Sequence, residues 1–541
     1  MKYGFVIDNR KCIGCHACTT ACKSEHQVPV GVNRTWVKQV EKGAFPNTRR
    51  LFSVMRCNHC TDAPCVEICP VEALFFRDDG IVDFDKDRCI GCKSCMQACP
   101  YDALYIDPDT HTAAKCNYCA HRVDVGLEPA CVNVCPEEAI ISGDMEDPDS
   151  KITQLLSRQQ VKVRKPEKGT VPNLFYIDAD EASLNPTATA ASDNYMWSSQ
   201  SMGVGHFTKE AEKMAFSNGD LIDALMKAEA SDTAGAVAKN GPAKSVDVLM
   251  GKQARRVYDV ADKGILWGWE VSAYVWTKAI AAGAFLVPFL AWAFGLAEVH
   301  AAAQWLGLGI GILFLAITGL LLVMDLDRPD RFLSVLLRPQ WNSWLTKGGY
   351  AITIYGALLT LLAAAAWFGW TGLEAPLMWL TAITAVVVAI YTAFLFAQAK
   401  GRDFWQSPTL SIHMLVHSFM AGAAVFGILA LFVESGTQWL PFLKNVMLIG
   451  IVVNLFTMLI ELTTTHSTSD AKRTVDMIVK GRYKNKFWGG VLLFGNIVPM
   501  LILFFMGANA PMLAAAGAIV LIGIYLVEDI WVEAPQRIPL S

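Results

Sequence analysis

The chain has 541 residues, 53% of them hydrophobic and 18% charged, and a formal net charge of −4. That length exceeds one ordinary domain, and so small a charge gives no reason to expect a nucleic-acid partner. The composition is split. All 16 cysteines precede residue 136 and the long apolar runs follow residue 270, which predicts a cysteine-rich soluble head joined to a membrane tail.

The N-terminal stretch MKYGFVIDNRKC has neither an apolar core nor a cleavage site, so no secretory signal is expected. Without export, so many thiols argue for metal binding over disulfides. They fall into four groups: Cys12, Cys15, Cys18, Cys22; Cys57, Cys60, Cys65, Cys69; Cys89, Cys92, Cys95, Cys99; and Cys116, Cys119, Cys131, Cys135. The 16 thiolates equal the need of four [4Fe–4S] clusters. In a C-x2-C-x2-C-x3-C run the loop wraps one face of a cubane, and the fourth cysteine ligates the other cluster of a pair. Pro70, Pro100 and Pro136 follow the last cysteine of three groups and stop the loop. The first group ends in Lys23 instead, which predicts a helix running on past Cys22.

Two other metal centres fit worse. Structural zinc in the C-x2-C pairs does not need the third and fourth cysteines of the first and third groups. A c-type haem at Cys12-Ile-Gly-Cys15-His16 would strand Cys18 and Cys22. His16 then reads as a surface side chain near a cluster.

The stretches RCNHCTDAPCVEICPVEAL, RCIGCKSCMQACPYDA and KCNYCAHRVDVGLEPACVNVCPEEAI resemble the four-cluster electron-transfer subunits of the dimethyl sulfoxide, polysulfide and nitrate reductase type, over roughly residues 3–180. The resemblance implies a double bacterial-ferredoxin-like α+β domain with crossed ligation. Cys12, Cys15, Cys18 and Cys135 would hold one cluster, and Cys22, Cys116, Cys119 and Cys131 its partner. Cys57, Cys60, Cys65 and Cys99 would hold a third, and Cys69, Cys89, Cys92 and Cys95 a fourth. It also implies that the first pair faces a separate molybdopterin-containing catalytic subunit and the second pair the membrane.

Residues 181–262 lose the cysteines and gain Ala, Ser, Asn and Gly, as a linker would. Within them KEAEKMAFSNGDLIDALMKAEA has helical apolar spacing and predicts a short amphipathic helix. The domains expected are therefore 1–180, 181–262 and 263–541.

Beyond 263, eight apolar windows are long enough to span a bilayer: near 273–296, 303–325, 348–370, 377–398, 409–433, 440–462, 487–506 and 511–531. An all-α polytopic membrane domain follows. The head-side loops hold Arg328, Arg331, Arg338, Lys347, Lys400, Arg402, Lys472, Arg473, Lys480, Arg482, Lys484 and Lys486, whereas the opposite loops hold only Lys444. The positive-inside rule then puts the head on the cytoplasmic side of the inner membrane. WGWEVSAYVWTKAIAAGAFL, LLVMDLDRPDRF and AIYTAFLFAQAKGRDFWQSP resemble the NrfD-type membrane subunits of polysulfide and nitrite reductase systems, over about 264–532. Such subunits react with quinone and lack haem.

Ionisable and polar side chains at membrane depth are costly and read as functional. The candidates for a site taking menaquinone or ubiquinone are Glu270, Tyr274, Lys278, Tyr391, His413 and His417. The first three share one helical stripe, and the resemblance makes Tyr391 a quinone-facing tyrosine. Asp325 and Glu461 are proton-route candidates, and Asp325, Arg328 and Arg331 suit a salt-bridged loop at the head–anchor junction. No haem is expected: His413 and His417 lie one turn apart on one helix, although either could pair with His466. The chain reads as an electron-transfer and membrane-anchor subunit that links a quinone pool to a catalytic partner. The alternatives are an ion-translocating transducer using Asp325, Glu461 and Glu298, or a haem-b anchor.

Overall fold

The computed structural model describes residues 1–43, 47–189, 254–260, 262–433, 438–466, 468–505 and 507–541. The expected helix within 209–230 lies outside them.

In the head the strands are β1 (Tyr3–Asp8), β2 (Thr35–Lys42), β3 (Arg49–Arg56), β4 (Leu74–Phe76), β5 (Val82–Phe84), β6 (Leu104–Asp107), β7 (Thr112–Lys115), β8 (Ile140–Asp144), β9 (Val161–Lys162), β10 (Leu174–Ile177) and β11 (Ala254–Tyr258). A four-stranded sheet runs β8-β1-β10-β9, with β1 parallel to β10 and antiparallel to β8, so distant parts of the head close one sheet. The hairpins β4–β5 and β6–β7 stand apart from it.

The cysteine runs set these turns. After Cys69-Pro70, Cys99-Pro100 and Cys135-Pro136 the chain enters the left-handed region at Glu72, Asp102 and Glu138, with φ of 52°, 58° and 45°. Strands β4, β6 and β8 start within two residues of those turns. The first group has no proline, and its helix α1 (Ala17–His26) continues through Cys22 and Lys23 to a left-handed cap at Gln27. The missing proline is therefore structural: nothing stops this helix at the fourth cysteine.

The region read as a linker ends inside the head. Strand β11 pairs antiparallel with β2, which pairs with β3, in a sheet ordered β11-β2-β3. The helical turn Glu181–Leu184 is capped by the Asp180 carboxylate.

Among the described residues the anchor has eight helices long and apolar enough to cross a membrane: Trp269–Ala293, Ala301–Met324, Trp344–Phe368, Thr371–Gln398, Thr409–Leu429, Trp439–Thr463, Lys486–Phe505 and Ala510–Gln536, numbered here as spans one to eight. Spans one and three begin at Trp269 and Trp344, before the apolar windows that predict them, because these interfacial residues take part in the first helical turn. Span one is the most enclosed. A Cβ on Gly283 would strike the backbone of Ser418 and Gly422, so spans one and five touch through bare glycines. Span seven opens with π-helical turns over Lys486–Ile497, and the Asn496 amide donates to the Val491 carbonyl at 2.9 Å.

Head and anchor interlock at the loops that follow spans two and four and at the C-terminus. Asp327 and Arg328 donate backbone N–H groups to the carbonyls of Gly91 and Ile90, at 3.3 and 3.2 Å. Arg402 donates to Gln97 and to the carbonyls of Pro535 and Ile538. A Cβ on Gly401 would lie 2.5 Å from the Gln97 carbonyl, so this approach also requires glycine.

Candidate functional site

The residue before the second cysteine of each group is left-handed: Gly14, His59, Gly91 and Tyr118, with φ of 71°, 43°, 71° and 63°. This shared kink curls each loop around a common centre and turns backbone N–H groups toward sulfur. His59 donates to Cys57 Sγ at 3.5 Å, Gly91 and Ala113 to Cys89 Sγ at 3.4 and 3.3 Å, Ala73 to Cys69 Sγ at 3.2 Å and Ala139 to Cys135 Sγ at 3.3 Å. Such donors favour thiolate over thiol.

The groups come together crosswise. Cys12, Cys15, Cys18 and Cys135 line one cavity, and Cys69, Cys89, Cys92 and Cys95 line another. Cys22 lies within electrostatic reach of Cys116, Cys119 and Cys131, and Cys65 of Cys57, Cys60 and Cys99. Neighbouring sets also lie within electrostatic reach in series: Cys18 of Cys131, Cys116 of Cys57, and Cys95 of Cys65. Burial pushes the Cys18 and Cys119 thiols up to about 12, so they ionise only against nearby cations. One cation is already in place. The buried Arg56 guanidinium donates to Cys131 Sγ at 3.0 Å, and its Nε and second terminal nitrogen have no other hydrogen-bond partner. Converging thiols, inward N–H groups and an orphaned guanidinium together suit an anionic iron–sulfur cluster. Burial holds His26 down at about 4, so it is neutral where its Nε2 meets Cys119 Sγ at 3.1 Å. His16 is half-buried, beside Gln39 at 3.0 Å.

At the junction a cavity of about 200 Å³ runs from the last cysteine set into the bundle. Its lining includes Cys92 and Ser94 from the head, Tyr274 of span one, Asp325 after span two and Tyr391 of span four; most of the rest is aliphatic. Trp267 roofs it, donating its indole N–H to the Cys92 carbonyl at 3.2 Å. Tyr391 fits there because position 348 is glycine, where any Cβ would run into its ring. Asp325 pairs with a head residue: Lys93 Nζ is 3.7 Å from its Oδ1, 3.3 Å from Asp327 Oδ1 and 2.8 Å from the Asp325 carbonyl. The loop is a salt-bridged junction, with Arg328 paired to Asp330 at 3.0 Å, and its charges also bridge to the head. Arg331 donates to the carbonyls of Lys86 and Cys89, and Arg328 to that of Thr110.

Of the sequence candidates, the cavity brings together Tyr274, Tyr391 and Asp325. Glu270, one turn before Tyr274, is half-buried outside it. Lys278 is a turn deeper, its amine bonded to the Ala389 carbonyl at 3.0 Å and Thr392 Oγ1 at 2.6 Å, 4.7 Å above the Tyr391 ring. His413 and His417 do not belong to this cavity. They pack ring against ring at 4.2 Å beside Glu528 and Glu461, too close for a porphyrin between them. Glu461 accepts from Thr409 and Trp531. Glu298 lies at the far end of the bundle, beside His300. Sequence reasoning missed Lys93, Trp267 and Glu528. Glu528, one of two adjacent acids inside IGIYLVEDIWV, carries the same signal of polarity at membrane depth that marks Glu461.

Residues 11–74 and 48–145 match two 4Fe-4S dicluster domain families, and residues 260–531 match the family described as polysulphide reductase, NrfD. Over 189 residues, 34% of this chain, the sequence is 47% identical to a tetrathionate reductase subunit of Salmonella typhimurium, covering 76% of that protein. It is 44% identical to a polysulfide reductase chain of Wolinella succinogenes, across 32% of this protein and 94% of that one. It is 35% identical to the arsenate respiratory reductase iron-sulfur subunit ArrB of Shewanella sp., across 33% of this protein and 96% of that one. The chain therefore belongs to the polysulphide reductase NrfD family, with an iron–sulfur head fused ahead of the multi-pass membrane domain, and is an electron-transfer and membrane-anchor protein of the reductase-complex type.

Proposed function

We propose that this chain carries electrons between a quinone bound in the junction cavity and a separate molybdopterin-containing catalytic subunit, through four [4Fe–4S] clusters held by the crossed cysteine sets. The observation that carries the reading is the serial arrangement of those sets, each within electrostatic reach of the next. The set of Cys12, Cys15, Cys18 and Cys135, where Cys15 is exposed, stands at the open end, and Cys92 of the last set lines the cavity.

The clusters supply one-electron steps. The protein must supply hydrogen bonds and protons, because quinone reduction takes up two electrons and two protons. Tyr274 and Tyr391 carry the phenol donors for the quinone carbonyls, and Asp325, held by Lys93, exchanges protons toward the head. Phe332, which lines the cavity, is 41% exposed, and Met324 and Leu333 beside it are also exposed, giving an apolar approach suited to a lipid-borne molecule. The basic loops lie at the end of the bundle that meets the head, which supports a head on the cytoplasmic side of the inner membrane.

The test is quinol-driven cluster reduction in the detergent-purified protein. Tyr391→Phe and Asp325→Asn should each slow it at least about tenfold, the range for loss of a positioned donor or proton carrier, with iron content unchanged. Unchanged rates in both variants would remove the cavity from the proposal.

A further inference from the structure

A second gathering of buried polar groups lies in the anchor, away from the cavity. His413 and His417 of span five meet Glu528 of span eight, and one ligand atom from each lies within 4.8 Å of the others. All three are enclosed, at 0%, 0% and 1% exposure. Glu461 of span six closes one side, its Oε2 3.5 Å from His413 Nδ1.

Hydrogen-bond direction decides what this cluster holds. Asn496 Nδ2 donates to the Val491 carbonyl at 2.9 Å, so its Oδ1 is the atom that accepts from Asn454 Nδ2 at 3.0 Å. That leaves Asn454 Oδ1 to accept from His417 Nε2 at 3.1 Å. The proton of a neutral His417 is thereby on Nε2, and its Nδ1 turns a lone pair toward Glu528 Oε1 at 2.7 Å. A lone pair facing a carboxylate at that distance, in a dry interior, requires a cation between or beside them. His413 adds a second requirement, for its Nε2 has no hydrogen-bond partner and its Nδ1 has only the 3.5 Å approach of Glu461 Oε2. A shared proton would answer the first requirement only. Lys278 answers neither, since its amine is bonded to Ala389 and Thr392.

We propose that His413, His417 and Glu528 form a binding site for a divalent transition-metal ion of the zinc class. Two imidazoles and a carboxylate are the borderline donor set that such ions take, at about 2.0–2.2 Å per bond. The two histidines, four residues apart, project from one face of span five. Asn454, itself held by Asn496, fixes the His417 tautomer that leaves Nδ1 free, as a partner behind a metal-bound histidine does. The ion offsets buried carboxylate charge and ties span five to span eight.

The test is elemental analysis of the full-length protein, purified in detergent from cells supplied with Zn²⁺ and washed with chelator, with cluster iron counted in the same sample. About one zinc per chain is expected. The zinc absorption edge should show nitrogen and oxygen neighbours with imidazole scattering and no sulfur, which separates this site from stray zinc on cysteine. His413→Gln and Glu528→Gln should each lower zinc at least fivefold with cluster iron retained. Wild-type protein carrying its full cluster iron but under about a tenth of a zinc overturns the proposal, with no recourse to variants. So does a sulfur-ligated edge, or zinc unchanged in both variants.

Discussion

Two loops of the head share the sequence C-I-G-C-x-x-C, at Cys12–Cys18 and at Cys89–Cys95, and end in opposite surroundings. Gly14 and Gly91 have the same φ of 71°, and His16 and Lys93 the same φ of 60°. Around the first loop a Cβ at Gly14 would meet Phe52 of the head itself, Cys15 is exposed, and His16 meets Gln39 and the Tyr258 ring of β11. Around the second a Cβ at Gly91 would meet Asp327 of the anchor, and Lys93 reaches Asp325 and Asp327. One cluster-binding geometry thus serves as an open terminal or a plugged one, depending on the residue after the second cysteine and on what packs over the glycine.

The largest effect should come from removing a cysteine at each end. Cys95→Ser and Cys18→Ser should each cost about four of some sixteen irons. Quinol reduction of the remaining clusters should fall at least about a hundredfold in the first and stay near wild type in the second, measured by iron analysis and rapid-mixing absorbance. Next, Gly401→Val should push the Gln97 backbone away and lift the plugged end off the anchor. Quinol reduction then drops about tenfold with all iron retained, and protease cleaves the junction faster. A smaller effect is expected for Lys93→Ala, which strips Asp325 and Asp327 of their partly buried partner: a loss of about 1 kcal/mol in thermal unfolding, against none for His16→Ala.

The smallest effect on the two ends is expected from a site between them, which serves as their baseline. Burial holds the Lys38 ammonium at about 7, against an ordinary value of 10.5, with Asp259 3.8 Å away opposing the shift. Between those values the folded head binds fewer protons than the unfolded chain, so stability should rise with pH there, by on the order of 1 kcal/mol per unit, and be lowest below 7. Lys38→Met should flatten the melting-temperature profile across that window and leave both cluster ends unchanged.

The cysteine loops and the spans were legible because each rests on a local signal, ligand spacing in one case and about twenty apolar residues in the other. Even the absent proline after Cys22 had a readable consequence in α1. The return of β11 to the head was not legible: five residues, ARRVY, follow a long polar stretch, and their partner β2 lies more than 200 residues earlier. His413 and His417 lie apart from the cavity that Tyr274 and Tyr391 line. Sequence puts His413 and His417 on the same helix, but whether they face Tyr391 or Glu528 depends on how spans five and eight pack, which no single-helix pattern encodes. Tyr274, Asp325 and Tyr391 line one cavity because all three lie near the same end of their spans, and the head closes that end.

Strand β11 carries a last consequence. Residues 259–268 are all that separate it from the first span, and that short run is pinned along its length: Asp259 to the Trp36 indole at 2.8 Å, Lys263 to Asp102 at 2.6 Å, Trp267 to Cys92. The head therefore hangs on a short strap held at three of its described residues. The last electron hop is fixed once, when the chain folds, and its rate should be as fast in a dilute vesicle suspension as in a crowded membrane.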